Sequence, residues 1–245
     1  MALPEVVSRD EWLAARTELL AREKQMTKAR DELSAARRRL PMVEMTKDYR
    51  FEGPQGEVGL IDLFEGRHQL VIVHFMFDPS WEDGCPSCTA GADEVAPGMI
   101  EHLHARDTSI AYVSRAPLET LERYKATRGW SFPWYSSQGS DFNYDFHVTV
   151  DEHRGPGEYN YRTKAEFQRR QGGSFEFDGE YPGRSHFLRD GERVFHTYSV
   201  YARGTETIGG SYYLLDETAL GRQEDWEEPK GRAASVRGAN PDFAP

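Results

Sequence analysis

The chain is poor in cysteine: its 245 residues contain two, at positions 85 and 88. That scarcity excludes a disulfide-stapled scaffold, which needs several bridges to stand in for a hydrophobic core. A zinc site is left short as well, because such sites draw on about four ligands and there is no second cysteine pair. His102 and His104 stand two apart and would leave a helix on different faces, so they do not chelate together. No metal and no other cofactor is expected. Long apolar runs are missing too: no stretch approaches the ~18 residues of a membrane span, and the mean hydropathy is −0.73. Cations are outnumbered, with 30 Lys and Arg against 41 Asp and Glu for a formal net charge of −11. Neither nucleic acid nor an anionic membrane is therefore expected as a partner, since phosphate binding needs concentrated positive charge. The basic cluster Arg37-Arg38-Arg39 reads as a helix end. The opening residues Met1 to Val7 have neither the basic region nor the long apolar core of a secretion signal, which leads to the expectation of a cytoplasmic protein.

What is present suits a globular protein. Hydrophobic residues make up 38% of the chain, enough at this length to build a sizeable core. Ser8-Arg9-Asp10-Glu11 has the form of a capping box and predicts a helix from there to about Arg39, stopped by Pro41. Its apolar residues are sparse, so the helix either lies across the main body or pairs with a second subunit as a homodimer arm. The sequence predicts a division into this arm (1–44), a main domain (45–228) and a flexible tail (229–245). Within the main domain, short alternating runs flank Gly53-Pro54-Gln55-Gly56 as in a small hairpin. The unbroken apolar run Leu70 to Phe77 reads as a strand buried on both faces at the centre of a sheet.

After the cysteines, Val95, Met99, Ile100 and Leu103 form a helical stripe that Pro97 is expected to kink. Ser109 to Ser114 is a second strand, and Pro117 opens a helix that Gly129 ends. Strand, helix, strand, helix predicts parallel pairing through right-handed crossovers. Residues 130–137 give a short strand. Residues 151–183 read as a long surface insertion with a short helix near Ala165 to Arg170. A hairpin then turns at Asp190-Gly191, and a last helix is expected over Tyr212 to Leu220.

Chemistry concentrates in Trp81-Glu82-Asp83-Gly84-Cys85-Pro86-Ser87-Cys88. Two sulfurs separated by two residues can close a small disulfide ring and reopen it. A cysteine at a helix start has its thiolate stabilised by free backbone N–H groups. Cys85 is expected to attack as thiolate and Cys88, one turn inward, to resolve the mixed disulfide. Trp81, Trp130 and Trp134 either line a docking groove or belong to the core. Pro86 and Ser87 fall inside the motif.

The order of strand, Cys-x-x-Cys helix, strand, helix, hairpin and helix is that of the thioredoxin fold. The chain further resembles a family of bacterial thioredoxin-like proteins of unknown function, labelled dithiol-disulfide oxidoreductases. Four segments carry the resemblance: Trp81 to Cys88, Gly129 to Ser137, Asp141 to Phe146 and Val194 to Gly204. It implies an α/β, thioredoxin-like three-layer fold, a central mixed sheet with helices on both faces, carrying a long N-terminal helix and an insertion before the C-terminal hairpin. It also implies thiol-disulfide exchange with a protein or small-molecule disulfide and a thiol electron donor. Two departures stand out. His74 occupies the strand position where thioredoxins carry a buried aspartate, and Arg184 or Ser185 falls where they carry a cis-proline. Through the family motif His196 also becomes a candidate for the substrate pocket. Two alternatives use the same chain differently: a thiol peroxidase in which Cys85 becomes a sulfenic acid before Cys88 condenses with it, and a non-enzymatic interaction module.

Overall fold

A computed structural model describes residues 6–171 and 177–205, together with isolated positions between 214 and 230. The strands are β1 (Val43–Glu44), β2 (Arg50–Gly53), β3 (Gly56–Gly59), β4 (Gln69–His74), β5 (Thr108–Ser114), β6 (Trp134–Ser136), β7 (Thr149–Val150), β8 (Glu158–Tyr159), β9 (Arg162–Thr163), β10 (Gly179–Glu180), β11 (Gly183–Asp190) and β12 (Arg193–Tyr201). The α-helices are α1 (Arg9–Arg38), α2 (Pro86–Asp93), α3 (Pro97–His104), α4 (Leu118–Arg128), α5 (Phe142–Asp145) and α6 (Lys164–Gln171). Eight strands form one sheet in the order β1-β12-β11-β4-β5-β6-β2-β3. The strands β4, β5 and β6 run parallel, while β11 lies antiparallel to β4 and β12 antiparallel to β11. The stretch β12-β11-β4-β5 is the thioredoxin arrangement, and the sheet is mixed, as the element order implies.

The apolar run Leu70 to Phe77 does hold the centre. Strand β4 ends at His74, but Phe75 and Phe77 stay buried and bonded, the Phe75 N–H donating to the Val113 carbonyl at 3.0 Å and the Ala116 N–H to the Phe77 carbonyl at 2.9 Å. Successive residues of β4 feed opposite sides of the sheet. Leu70 and Ile72 join Phe51, Phe64, Phe142 and Phe187 on one face, whereas Val71 and Phe75 join Leu103, Leu121, Phe132 and Trp134 on the other. Each such side chain contributes about 1.5–3 kcal/mol when fully buried. Helices α2, α3 and α4 cover the second face through Ala92, Leu103 and Leu121, and α5 covers the first through Phe142.

Helix α1 starts as its capping box predicts, Ser8 Oγ accepting from the Glu11 N–H and Glu11 reaching back. It buries only Ser34, Ala35 and Arg38 of its 30 residues. Arg38 Nη1 meets Glu227 Oε1 at 3.2 Å in a buried ion pair, and its Nε donates to the Glu228 carbonyl. Pro97 does not kink one helix but begins another. Ala96 before it is extended, as a residue preceding proline must be, and α3 starts there. The helix expected over Tyr212 to Leu220 lies mostly outside the described residues, although Leu214 and Leu215 are helical and buried in the core. The predicted tail also lies outside them, Lys230 excepted.

The insertion departs from the expectation of a surface loop. Strands β7 and β10 pair, β8 and β9 form a second small ribbon, and Val148, Val150, Tyr159, Phe177 and Tyr201 make a separate apolar cluster. A polar clamp ties this unit to the loop that leads to the cysteines. Arg115 reaches Glu180 Oε1 on β10 at 3.1 Å and Asp78 Oδ2 at 3.4 Å, and Thr149 Oγ1 donates to Glu180 at 2.9 Å. Burial pushes the Glu180 carboxyl up to about 7, against the downward pull of Arg115 and Thr149. No described helix is long and apolar enough to cross a membrane.

Replacing Arg38 by Ala would take from Glu227 the guanidinium of its buried ion pair, and a loss on the order of 3–5 kcal/mol is expected in urea titrations. Glu180 gives a pH signature of definite sign. Its pKa is higher in the folded chain than in the unfolded one, so its contribution to stability falls as pH rises from the ordinary carboxylate value through about 7. The stability difference between Glu180→Gln and the parent should therefore shift in favour of the variant between pH 5 and pH 8, by roughly 2–3 kcal/mol. A difference that does not change with pH would contradict this.

Candidate functional site

Because β4 is the central strand, α2 starts over the C-terminal ends of the parallel strands, where α/β sheets place their ligands. The chain arrives there through Gly84. A Cβ on that residue would lie 2.6 Å from Cε1 of Phe75 and 2.9 Å from its Cζ, so only glycine lets the backbone pass this close to the ring. The Cys85 N–H then donates to the Met76 carbonyl at 3.1 Å, and Cys85 becomes the N-cap residue of α2 with Pro86 behind it. Both thiols are free, Cys85 half-buried and Cys88 deeper.

The two sulfurs set each other's chemistry. The Cys88 S–H donates to the Cys85 sulfur, and this bond is the largest influence holding the Cys85 thiol down at about 6; the backbone N–H groups of Cys88 and Ser87 add to it against partial burial. Cys88 is pushed well up, first by the same bond and then by burial. The pairing thus favours ionisation of Cys85 and retention of the proton on Cys88. Exposed Glu82 and Asp83 flank the pair.

Behind Cys88 lies a cavity of about 610 Å³, walled by Val73, Phe75, Met76 and Tyr112 from the sheet side, Ser87, Cys88, Gly91 and Ala92 from α2, and Pro182 to Arg184. Cys85 is not among its lining residues. Tyr159 closes one side from the insertion, its hydroxyl donating to the Pro182 carbonyl at 3.0 Å and accepting from the Ala202 N–H at 2.8 Å. Tyr112 and Tyr159 had no signal in the sequence as site residues: one sits inside an apolar strand pattern and the other about seventy positions from the cysteines, brought in by the fold of the insertion.

Of the residues singled out by sequence, Pro86 and Ser87 lie between the two cysteines in the first turn of α2, and Arg184, 2% exposed, lines the cavity. Trp81 is 40% exposed on the approach loop and is not part of the cavity wall. Trp134 is wholly buried, its Nε1 donating to Ser114 Oγ at 3.0 Å, which makes it core and not groove. Trp130 packs on Phe75 and Trp134 and donates to Asp93 at the end of α2. Ser185 and His196 are on the far side of the sheet from the cysteines. There Ser185 Oγ sits 2.8 Å from His74 Nε2 and 2.8 Å from Ser199 Oγ, and His196 Nε2 lies 2.7 Å from Ser199 Oγ. This buried chain joins β4, β11 and β12 beside Phe142 and Phe146. Strand alternation explains the separation, since Arg184 and Ser185 are consecutive and point to opposite faces. Burial holds His74 neutral, its pKa pushed down to about 3. Among the described residues no group of three or more His, Cys, Asp or Glu is disposed to hold a metal ion.

Several solved structures share part of the chain path. A peroxidoxin of Mycobacterium tuberculosis is 14% identical over 68% of this chain and 90% of its own, with a TM-score of 0.42. A cysteine mutant of peroxiredoxin Q from Xanthomonas campestris is 16% identical over 62% and 79%, with a TM-score of 0.37. A candidate protein disulfide isomerase of Bacteroides thetaiotaomicron is 16% identical over 69% and 87%, with a TM-score of 0.40. At such distances the likeness assigns no reaction. No curated protein matches the chain. The family model described as bacterial protein of unknown function (DUF899) matches residues 1–238, and the chain belongs to that family.

Proposed function

We propose that the protein is a thiol-disulfide oxidoreductase whose reacting groups are Cys85 and Cys88. The observation that carries this is the asymmetric pair: two free thiols one helical turn apart at the start of α2, one held near pH 6 by the other's S–H. With that value roughly nine-tenths of Cys85 is thiolate at neutral pH. The Cys85 thiolate attacks one sulfur of a disulfide RSSR, forming Cys85–S–S–R and releasing the other arm as RS⁻. Cys88 then loses its proton to RS⁻ or water and attacks the Cys85 sulfur, closing the intramolecular disulfide and releasing the second arm. Two electrons pass from the protein dithiol to RSSR, and an external thiol restores the reduced pair.

The high pKa of Cys88 supports its place in the second step. While it holds its proton it stabilises the Cys85 thiolate, and once Cys85 is covalently modified that hydrogen bond is gone. The remaining restraint on its ionisation is then burial, opposed by the N–H of Met76.

Iodoacetamide labelling followed by mass measurement should show Cys85 reacting with a midpoint near pH 6, flat above about pH 7. Cys88→Ala removes the donor and should move that midpoint up towards the ordinary thiol value of about 8.5. An unchanged midpoint would show that the pairing does not set the reactivity. Across a dithiothreitol redox series, one intramolecular disulfide is expected, lost in Cys85→Ser. Cys88→Ser should instead accumulate the mixed disulfide with substrate. Absence of the internal disulfide at every potential overturns the proposal, and peroxide consumption in place of disulfide turnover reassigns the reaction.

A further inference from the structure

The cavity behind the dithiol opens on Cys88, and its wall has a feature that packing among the described residues does not explain. Helix α2 turns Ser87, Cys88, Gly91 and Ala92 towards it. Gly91 sits in the interior of that eight-residue helix, where glycine costs about 0.5–1 kcal/mol relative to alanine. Neither a positive φ nor a close neighbour among the described residues demands it: a Cβ placed there meets none of their atoms within 4 Å. The contrast is with Gly84, where a ring forbids a side chain. At Gly91 a side chain would project into open space at the cavity mouth.

The remaining wall is mainly apolar and adaptable, with Met76, Val95, Met99, Ile110, Tyr112 and Leu214 outweighing the polar Glu94, Arg184 and Thr205, and methionines are the side chains that best accommodate varied apolar shapes. A volume of about 610 Å³ falls within the ~300–1,000 Å³ of small-molecule pockets. An extended polypeptide is poorly served by the same rim. Strand β11 is paired on both edges, with β4 and β12, and the Pro182 carbonyl before it is occupied by the Tyr159 hydroxyl. Among the described residues no free sheet edge is offered at this rim for a peptide strand to join.

We propose that this cavity receives the apolar arm of a low-molecular-mass disulfide, which is the substrate of the dithiol; the assignment rests on the exchange reaction above. After Cys85 attacks, the arm R of Cys85–S–S–R lies along the small residues of α2 with its apolar body in the cavity. Closure of the Cys85–Cys88 bond expels it as RS⁻. The lack of side chains at Gly91 keeps the path open for both entry and exit.

The test fills the mouth of the cavity. Rates of oxidation of the reduced protein by dipyridyl disulfide, which has aromatic arms, and by hydroxyethyl disulfide, which has short polar ones, are measured for the parent, Gly91→Leu and Gly91→Trp. Taking the ratio of the two rates cancels any change in the thiol's own reactivity, and comparing that ratio with the parent's cancels the intrinsic reactivity of each reagent. The ratio is expected to fall at least tenfold in Gly91→Trp and by less in Gly91→Leu. A ratio unchanged in both overturns the cavity assignment while leaving the exchange reaction standing, whereas inertness of the parent towards both reagents overturns the reaction itself and the assignment with it. A second readout needs no chemistry. Anilinonaphthalene sulfonate should fluoresce on the full chain carrying Cys85→Ser and Cys88→Ser and lose that signal when Gly91→Trp is added, with circular dichroism confirming that the fold persists. Fluorescence indifferent to Gly91 counts against the site.

Discussion

The hydrogen bond from the Cys88 thiol to the Cys85 sulfur is the interaction on which the candidate chemistry depends, and it exists only because of where α2 begins. Cys85 must be the last extended residue and Cys88 must already lie in the first turn, so that the side chains meet across one helical step. The Met76 carbonyl fixes that start by accepting the Cys85 N–H, and Met76 itself follows a strand buried on both faces. The rigidity of the central sheet is thereby transmitted to two sulfur atoms.

Around this pair the protein separates polar and apolar tasks by sheet face. The side with Phe75, Leu103 and Trp134 carries the dithiol and its cavity, lined by Arg184. The opposite side holds the His74-Ser185-Ser199-His196 chain, packed among phenylalanines and pinning three strands together. A strand reverses the direction of its side chains at every residue, so neighbours in sequence such as Arg184 and Ser185 serve different ends. The insertion adds a third element. Its own apolar cluster lets Tyr159 stand as a wall of the cavity, and the Arg115 clamp joins it to the loop that delivers Gly84 and Cys85.

Much of this was legible from residues alone, because the signals were local. The capping box at Ser8 marked the start of α1, and the apolar run Leu70 to Phe77 marked the central strand. Gly129 marked the end of α4, where it sits in the left-handed region. The Cys85-Pro86-Ser87-Cys88 motif announced a helix start with paired thiols. What was missed depends on contacts between distant segments. The insertion looked like loop because its apolar residues, Tyr159, Phe167, Phe177 and Tyr181, are thinly spread and gain a core only by folding against Val148 and Tyr201. Trp134 carries the same side chain as Trp81, yet burial against Phe75 and Tyr112 makes one core and leaves the other exposed.

By itself the sequence determined the order of the main strands and helices around the Cys-x-x-Cys segment and the thioredoxin-like class, and it named Cys85 and Cys88 as the candidate pair, since propensity, periodicity and a short motif act over a few residues. Tertiary structure alone decided that a cavity opens on the inner sulfur, that Ser185 and His196 lie away from the dithiol, and that the insertion forms part of its surroundings. Those outcomes depend on sheet pairing and on which face each side chain occupies, and both are settled only when segments far apart in the chain come together.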